Sequence, residues 1–255
     1  MKAIVLTSTN LRHKYFAAAA AKKFEIAAVF CEEKRNYYTT QRENSPALQR
    51  HFARLAEAEK VWFDLSGKAP GPDVNLVADI NSEETLNRVK AFDADCVLLF
   101  GTSILKSPWM EAFPQKIINL HLGLSPFYRG SATLFWPFVF QELEFLGTTI
   151  HLAIEKVDAG AILHRVRPQL QVNDDYYTIT NRLIRDSIDI MPEIVENYLL
   201  NHAEPKAQER VNSARVCKKA DFNDAALVKA LEYVGQGLAQ EEIERIMRAR
   251  CQYSL

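Results

Sequence analysis

Apolar runs of strand length alternate with segments of helical spacing along most of this chain. Lys2-Ala-Ile-Val-Leu6, Ile26 to Cys31, Cys96 to Phe100 and the run that begins at Ile117 are short, continuous and bounded by polar turns. Such runs suit strands covered on both faces. Between them lie an Ala-rich helical stretch from about Arg12 to Lys23 and another over residues 45–60. A third runs to Phe92 and opens on the capping box Asn81 and Glu84. Ser107-Pro-Trp109 starts a further helix with proline at its first position. From about Asp174 to Leu200, Ile179, Leu183, Ile184, Ile188, Met191, Val195 and Tyr198 recur every three or four positions. This predicts a long amphipathic helix lying on the sheet, kinked or split at Pro192. Alternating strands and helices predict an α/β fold, a Rossmann-like, mostly parallel sheet flanked by helices.

Gly67 to Pro72 is a Pro/Gly break, and Leu134 to Phe140 reads as a core helix. Beyond Asn201 come an extended piece at Val211 to Val216, a helix capped by Asp221-Phe-Asn-Asp224, and a charged helix from about Gln240 to Arg250. The expected organisation is a catalytic unit over residues 1–200 and a small C-terminal appendage over 201–255.

With 255 residues, 48% hydrophobic and 25% charged, the chain has material for a substantial core. A net charge of −1 gives no global footprint for nucleic acid. The four cysteines are scattered with no Cys-x-x-Cys pair. Free thiols in a reducing cytoplasm are therefore expected, rather than a zinc site or a disulfide framework. The N-terminal apolar run Ala3 to Leu6 is too short for a signal sequence, and no stretch has the length to span a membrane. No Gly-x-Gly-x-x-Gly follows the first strand, so NAD is not expected.

The chemistry gathers in Ile117-Ile-Asn-Leu-His-Leu-Gly-Leu-Ser-Pro-Phe-Tyr-Arg-Gly130. Asn119 and His121 stand two apart on a strand and share a face, so a hydrogen-bond-donating amide and a proton-exchanging imidazole converge. Taken alone, the pair also fits an ordinary buried strand. Downstream, Gly147 to Leu163 reads as a strand, a short turn carrying Asp158, and a second strand. His121, His151 and a carboxylate are a common metal-ligand set, but the spacing is irregular and no further ligand follows, so no metal is expected.

Asn-x-His, a loop with Ser-Pro and Arg-Gly, a Gly-Thr-x-His type strand and Asp-x-Gly-x-Ile-Leu, in that order over residues 100–163, resemble the folate-dependent formyltransferase family. Its members act on glycinamide ribonucleotide, methionyl-tRNA and nucleotide-linked amino sugars. One departure is Gly123-Leu-Ser-Pro126, where the family usually reads Ser-Leu-Leu-Pro. The resemblance implies that Asn119, His121 and Asp158 are catalytic, with 10-formyltetrahydrofolate as formyl donor. It further implies that Thr102, Ser103, Ile104 and Leu105, by themselves an ordinary turn, lie against the pterin ring, joined by Val157 and Asp158. His151 would line the site. Ser125, Arg129 and Gly130 follow the catalytic strand, where the family contacts substrate. Arg129 suits a phosphate or carboxylate, and equally a structural salt bridge. Ser8, Thr9 and Asn10 correspond to the turn that receives the acceptor's phosphate in the ribonucleotide enzymes; by themselves Ser8 or Thr9 are plain helix caps. Arg35, Tyr37 and Tyr38 follow a strand's C-terminal end and suit a nucleotide or a solvated loop.

The length and tail look most like the sugar N-formyltransferases of surface-glycan synthesis. The expected acceptor is thus a primary amine on a nucleotide-linked amino sugar. The expected partners are small molecules, with neither nucleic acid nor membrane, and the family resemblance implies a homodimer. Another small amine, hydrolysis of the formyl donor, or a non-catalytic folate-binding module are the competing readings.

Overall fold

β1 (Lys2–Thr7) buries Ala3 and Val5 on one side and Ile4 and Leu6 on the other. This two-sided burial is what its uninterrupted apolar run requires. The computed structural model describes residues 1–33, 45–66, 73–212 and 214–252. Arg35, Tyr37, Tyr38 and the Gly67 to Pro72 break lie outside the described residues.

β2 (Glu25–Glu32), β3 (Val74–Val77), β4 (Cys96–Leu99) and β5 (Ile117–His121) join β1 in parallel ladders. β7 (Thr148–Leu152) pairs antiparallel with β5, and β8 (Ile162–Val166) antiparallel with β7. The seven-strand order is β3-β2-β1-β4-β5-β7-β8. The order turns back between β1 and β4, and ligands of open α/β sheets collect outside the carboxyl ends of strands at such a point. A separate parallel ladder joins β6 (Tyr128–Gly130) to β9 (Arg215–Cys217).

One core layer lies beneath α1 (Leu11–Ala20), α2 (Pro46–Trp62) and α6 (Tyr176–Asn201). The other lies beneath α3 (Glu83–Lys90) and α4 (Ser107–Ala112). α6 runs through Pro192 without a break. Its buried face of Ile179, Leu183, Ile188, Met191 and Val195 holds it along the sheet despite the donor that proline lacks. The cap of α3 is Ser82, whose side chain accepts from Thr85 N, and not Asn81. Asn81 is committed elsewhere, as described below. The expected helix at 134–140 shrinks to the single turn α5 (Trp136–Val139), although Leu134, Phe135, Trp136 and Phe138 are all buried.

Beyond α6 the chain enters the first core layer. Phe222 and, in α7 (Asp224–Tyr233), Ala226, Leu227 and Ala230 are part of it, as is Ile246 of α8 (Gln240–Gln252). Asn223 caps α7 by accepting from Ala226 N. All four cysteines are free thiols, and three of them are buried. No helix among the described residues is long and apolar enough to cross a membrane.

His51 on α2 is 2% exposed, ringed by Phe52, Phe135, Tyr176, Tyr177 and Phe222, with Nδ1 2.9 Å from the Tyr177 hydroxyl. Burial, reinforced by the Arg54 charge, pushes its pKa down from 6.5 to about 4. The unfolded chain therefore binds this proton first, so the stability is intact above pH 6.5 and is lost as pH falls from there towards 4. At pH 5 the loss from this group is about 2 kcal/mol. Urea unfolding at pH 7 and pH 5 should give a smaller pH-dependent loss in His51→Phe than in the wild type. Equal losses would exclude His51 as the source.

Candidate active site

On β5, Ile118 and Leu120 enter the core layer under α6 while Ile117 enters the opposite one. Asn119 and His121 are the next two positions on the face of Ile117. They stand where that layer runs out, at the carboxyl end of the strand. The antiparallel register sets His151 of β7 opposite Asn119 and Thr149 opposite His121. The β7–β8 ladder shifts register between Ile150 and His151, an irregularity of the kind that re-aims a side chain.

His151 is 2% exposed and its Nδ1 lies 2.8 Å from the Leu152 carbonyl oxygen. A carbonyl only accepts, so Nδ1 carries the proton and Nε2 presents a lone pair. Burial holds this imidazole below its usual pKa, which keeps it neutral near pH 7. Nε2 is 3.0 Å from Asn119 Nδ2. Only the amide NH2 can meet a lone pair, so the orientation of the Asn119 amide is determined. One N–H is bound to His151 and the other has no acceptor among the described residues. Sequence reasoning gave His151 a lining role and missed this one. The cross-strand pairing that creates it lies 32 residues apart in the chain.

His121 has Nδ1 3.3 Å from Asp158 Oδ1 and Nε2 3.2 Å from the Tyr128 carbonyl oxygen. Both oxygens accept, so a ring protonated on both nitrogens donates to both and a neutral ring to one. Asp158 Oδ2 accepts from Gly130 N at 3.4 Å. Asp158 Oδ1 is 4.0 Å from His151 Nε2, too long for a hydrogen bond. Asp158 has a φ of +51°, in the left-handed region. Two residues on, a Cβ at Gly160 would lie 1.7 Å from the Leu152 carbonyl oxygen, so no other residue fits there. The arrangement couples a directed amide donor to an imidazole and carboxylate pair that can hold and pass a proton.

The remaining candidates divide. Ser125 is wholly buried, its N donating to Thr149 Oγ1 at 2.9 Å and its carbonyl accepting from Arg165 Nε at 2.9 Å. Ser8 is also wholly buried. Neither hydroxyl is exposed to solvent. α1 is capped at Asn10, with no side-chain hydrogen bond, so neither Ser8 nor Thr9 caps it. Arg129 makes no ion pair among the described residues; its Nη2 donates to Gln208 Oε1 at 2.7 Å. The structural salt bridge is therefore not formed among them.

In the Thr102 to Leu105 loop, Ile104 is 62% exposed and Leu105 is buried. Glu32 accepts from Ser103 N at 2.6 Å and from Ile80 N at 3.1 Å. Asn81 donates to Ile104 O at 3.0 Å and accepts from Lys106 N at 2.9 Å. These two anchors were not legible in the sequence, where Asn81 resembled a cap. They occupy Ser103 N and Ile104 O in the loop expected to lie against the pterin, and Lys106 N just beyond it. A cavity of about 560 Å³ opens between α4 and the end of β7, lined by Ser107, Met110, Phe113, Leu152, Ile154 and Glu155 among others and by none of the Thr102 to Leu105 residues. Val157, in the turn beyond, is 41% exposed. Among the described residues no group of three or more His, Cys, Asp or Glu side chains is placed to hold a metal ion.

The family model described as formyl transferase matches residues 1–195. The chain belongs to the formyl transferase family. A methionyl-tRNA formyltransferase from Synechocystis sp. is 29% identical over 143 residues, which is 55% of this chain and 43% of that relative. The chain thus aligns with less than half the length of that relative. A sugar N-formyltransferase from a Shewanella species superposes with a TM-score of 0.58 at 15% identity, over 91% of this chain and 87% of the other. A formyltransferase from Anoxybacillus kamchatkensis, solved in complex with UDP-4,6-dideoxy-4-formamido-L-AltNAc and tetrahydrofolate, superposes with a TM-score of 0.52 at 17% identity over 91% and 98%. At these identities the structural likeness establishes a shared fold.

Gly123, the position at which this chain departs from its family's usual serine, packs against the His121 ring. A Cβ there would lie 2.4 Å from His121 Nε2 and 2.8 Å from Thr133 Cβ and from the Tyr128 carbonyl oxygen. Gly123→Ala should therefore cost about 1–3 kcal/mol through overpacking, measured by urea unfolding at pH 7. An unchanged midpoint would mean that the loop yields freely.

Proposed function

We propose that this protein is an N-formyltransferase that moves the formyl group of 10-formyltetrahydrofolate to a primary amine on a nucleotide-linked amino sugar. The observation that carries the reading is the meeting of Asn119, His121 and Asp158 at one strand end, with the Asn119 amide turned by His151 to donate. The neutral amine attacks the formyl carbon, a C–N bond forms, and the carbonyl π pair moves onto oxygen. The remaining N–H of Asn119 donates to that oxyanion. One such donor is typically worth about 3–4 kcal/mol of barrier. The bond from carbon to the folate nitrogen then breaks, and the proton lost by the amine passes to that nitrogen. His121, paired with Asp158, is the group placed to hold that proton on the way. The products are tetrahydrofolate and the formamido sugar.

The folate side is supported by the formyl transferase family match and by the structural neighbour solved with tetrahydrofolate bound. The acceptor side is supported by Arg129, a guanidinium with no carboxylate partner among the described residues, next to a site whose acceptor would carry phosphates. The sugar-enzyme structures superpose over 91% of the chain, and a phosphoribosylglycinamide formyltransferase from Anaplasma phagocytophilum over 86%. A net charge of −1 also gives no broad attraction for tRNA. Cytoplasmic residence fits the free cysteines.

The test is mass spectrometry of the purified protein incubated with 10-formyltetrahydrofolate and a panel of nucleotide-activated amino sugars, glycinamide ribonucleotide and methionyl-tRNA. A formyl group gained by one sugar supports the assignment. Gain on another amine reassigns the acceptor, and deformylation without transfer points to hydrolysis. Asn119→Ala should lower kcat by about 10²–10³-fold while leaving tetrahydrofolate affinity nearly unchanged. Retained kcat would remove Asn119 from the catalytic set.

A further inference from the structure

The C-terminal segment that follows α6 reaches the catalytic cluster through β9, which pairs with β6, and through Gln208. Lys206 N donates to Ile162 O at 2.8 Å and Ile162 N to Lys206 O at 2.7 Å, an antiparallel bridge on the outer edge of β8. Antiparallel register carried two residues further sets Gln208 opposite Gly160. There Gln208 Nε2 donates to Asp158 O at 2.9 Å and to Gly160 O at 2.8 Å. Its Oε1 accepts from Arg129 Nη2 at 2.7 Å. One primary amide thus uses both hydrogens on the Asp158 turn and its oxygen on the loop after the catalytic strand.

Those two loops hold the two oxygens that bracket the His121 ring. Asp158 Oδ1 faces Nδ1, and the carbonyl of Tyr128, the residue before Arg129, faces Nε2. Asp158 also sits at a φ of +51°. That conformation is unfavourable for a residue with a Cβ, so it needs outside bonds to persist. Within the turn, the only other bond to the neighbouring loop is the 3.4 Å contact from Gly130 N to Asp158 Oδ2 among those the described residues make. Gln208 supplies the two shorter bonds and spans Ala159 in doing so.

We propose that Gln208 is a positioning residue of the formyl-transfer site, joining the Asp158 and Arg129 loops so that both oxygens stay on the nitrogens of His121. The inference rests on the reading that Asp158 serves His121 in formyl transfer. It assigns a catalytic duty to the tail, which acts through Asp158 without touching substrate.

The test uses the full chain with Gln208→Leu, which removes all three bonds, and Gln208→Met, which does so with a similar shape in case the first variant folds poorly. The first readout needs no substrate: imidazole ¹⁵N NMR of His121 in the folded protein. The His121 signals in either Gln208 variant should move in the same direction as in Asp158→Asn. Wild-type signals in a folded variant would overturn the proposal. The second readout is kinetic. Gln208→Leu should lower kcat about tenfold with the donor KM within about twofold, and should cost nothing further in an Asp158→Asn background. Additive losses would mark a purely structural role and overturn the proposal. If the wild type formylates no amine in the panel, the functional reading fails, and the NMR comparison still decides the positioning role.

Discussion

The hydrogen bond from Asn119 to His151 is the interaction on which the site depends. It exists because the other His151 nitrogen is committed to the Leu152 carbonyl, in surroundings too buried to favour a charged ring. That commitment leaves a lone pair on Nε2, and the lone pair selects the NH2 end of the Asn119 amide. An unconstrained amide would present its oxygen as readily as its nitrogen, and an oxygen would repel a developing oxyanion. One backbone fact makes the pair possible: antiparallel register brings position 151 across from 119.

A second constraint is the two-layer core. Strands β1 and β4 bury both faces along their length, so polar side chains with work to do are confined to strand ends. β5 shows the transition within five residues, from Ile117 in a core layer to Asn119 and His121 on the same face at its carboxyl end. The loops at that end are held by side chains from distant parts of the chain. Glu32 and Asn81 secure the Thr102 to Leu105 loop, Thr149 and Arg165 the loop around Ser125, and Gln208 the Asp158 turn. Each replaces water at a backbone group that would otherwise be mobile or unsatisfied.

The tail past α6 has its place in the same economy. Phe222, Ala226, Leu227, Ala230 and Ile246 bury into the core layer beneath α6, while β9 pairs with β6 and Lys206 covers the edge of β8. An exposed sheet edge is a liability, and a bridging segment is one way to blunt it. The same docking carries Gln208 to the Asp158 turn. Edge protection and site geometry are thus served by one stretch of backbone.

The sequence by itself determined the α/β class, most strands and helices, and the strand that carries Asn119 and His121, because each is written in local periodicity. Ile117 to His121 shows its buried run and its polar exit in consecutive letters, and the order of Asn119, His121 and Asp158 carried the family resemblance. Misreadings were local too: Asn81 and Ser82 are adjacent and both able to cap, and only the geometry assigned the cap to Ser82 and Asn81 to the loop. Tertiary structure alone decided the burial of Ser8 and Ser125, the partner of Arg129, the tautomer of His151 and the reach of Gln208. Those properties depend on which residues far apart in the chain become neighbours. Hydrophobic spacing reports which face a residue turns to the core, and it carries no information about the hydrogen-bond partner waiting there.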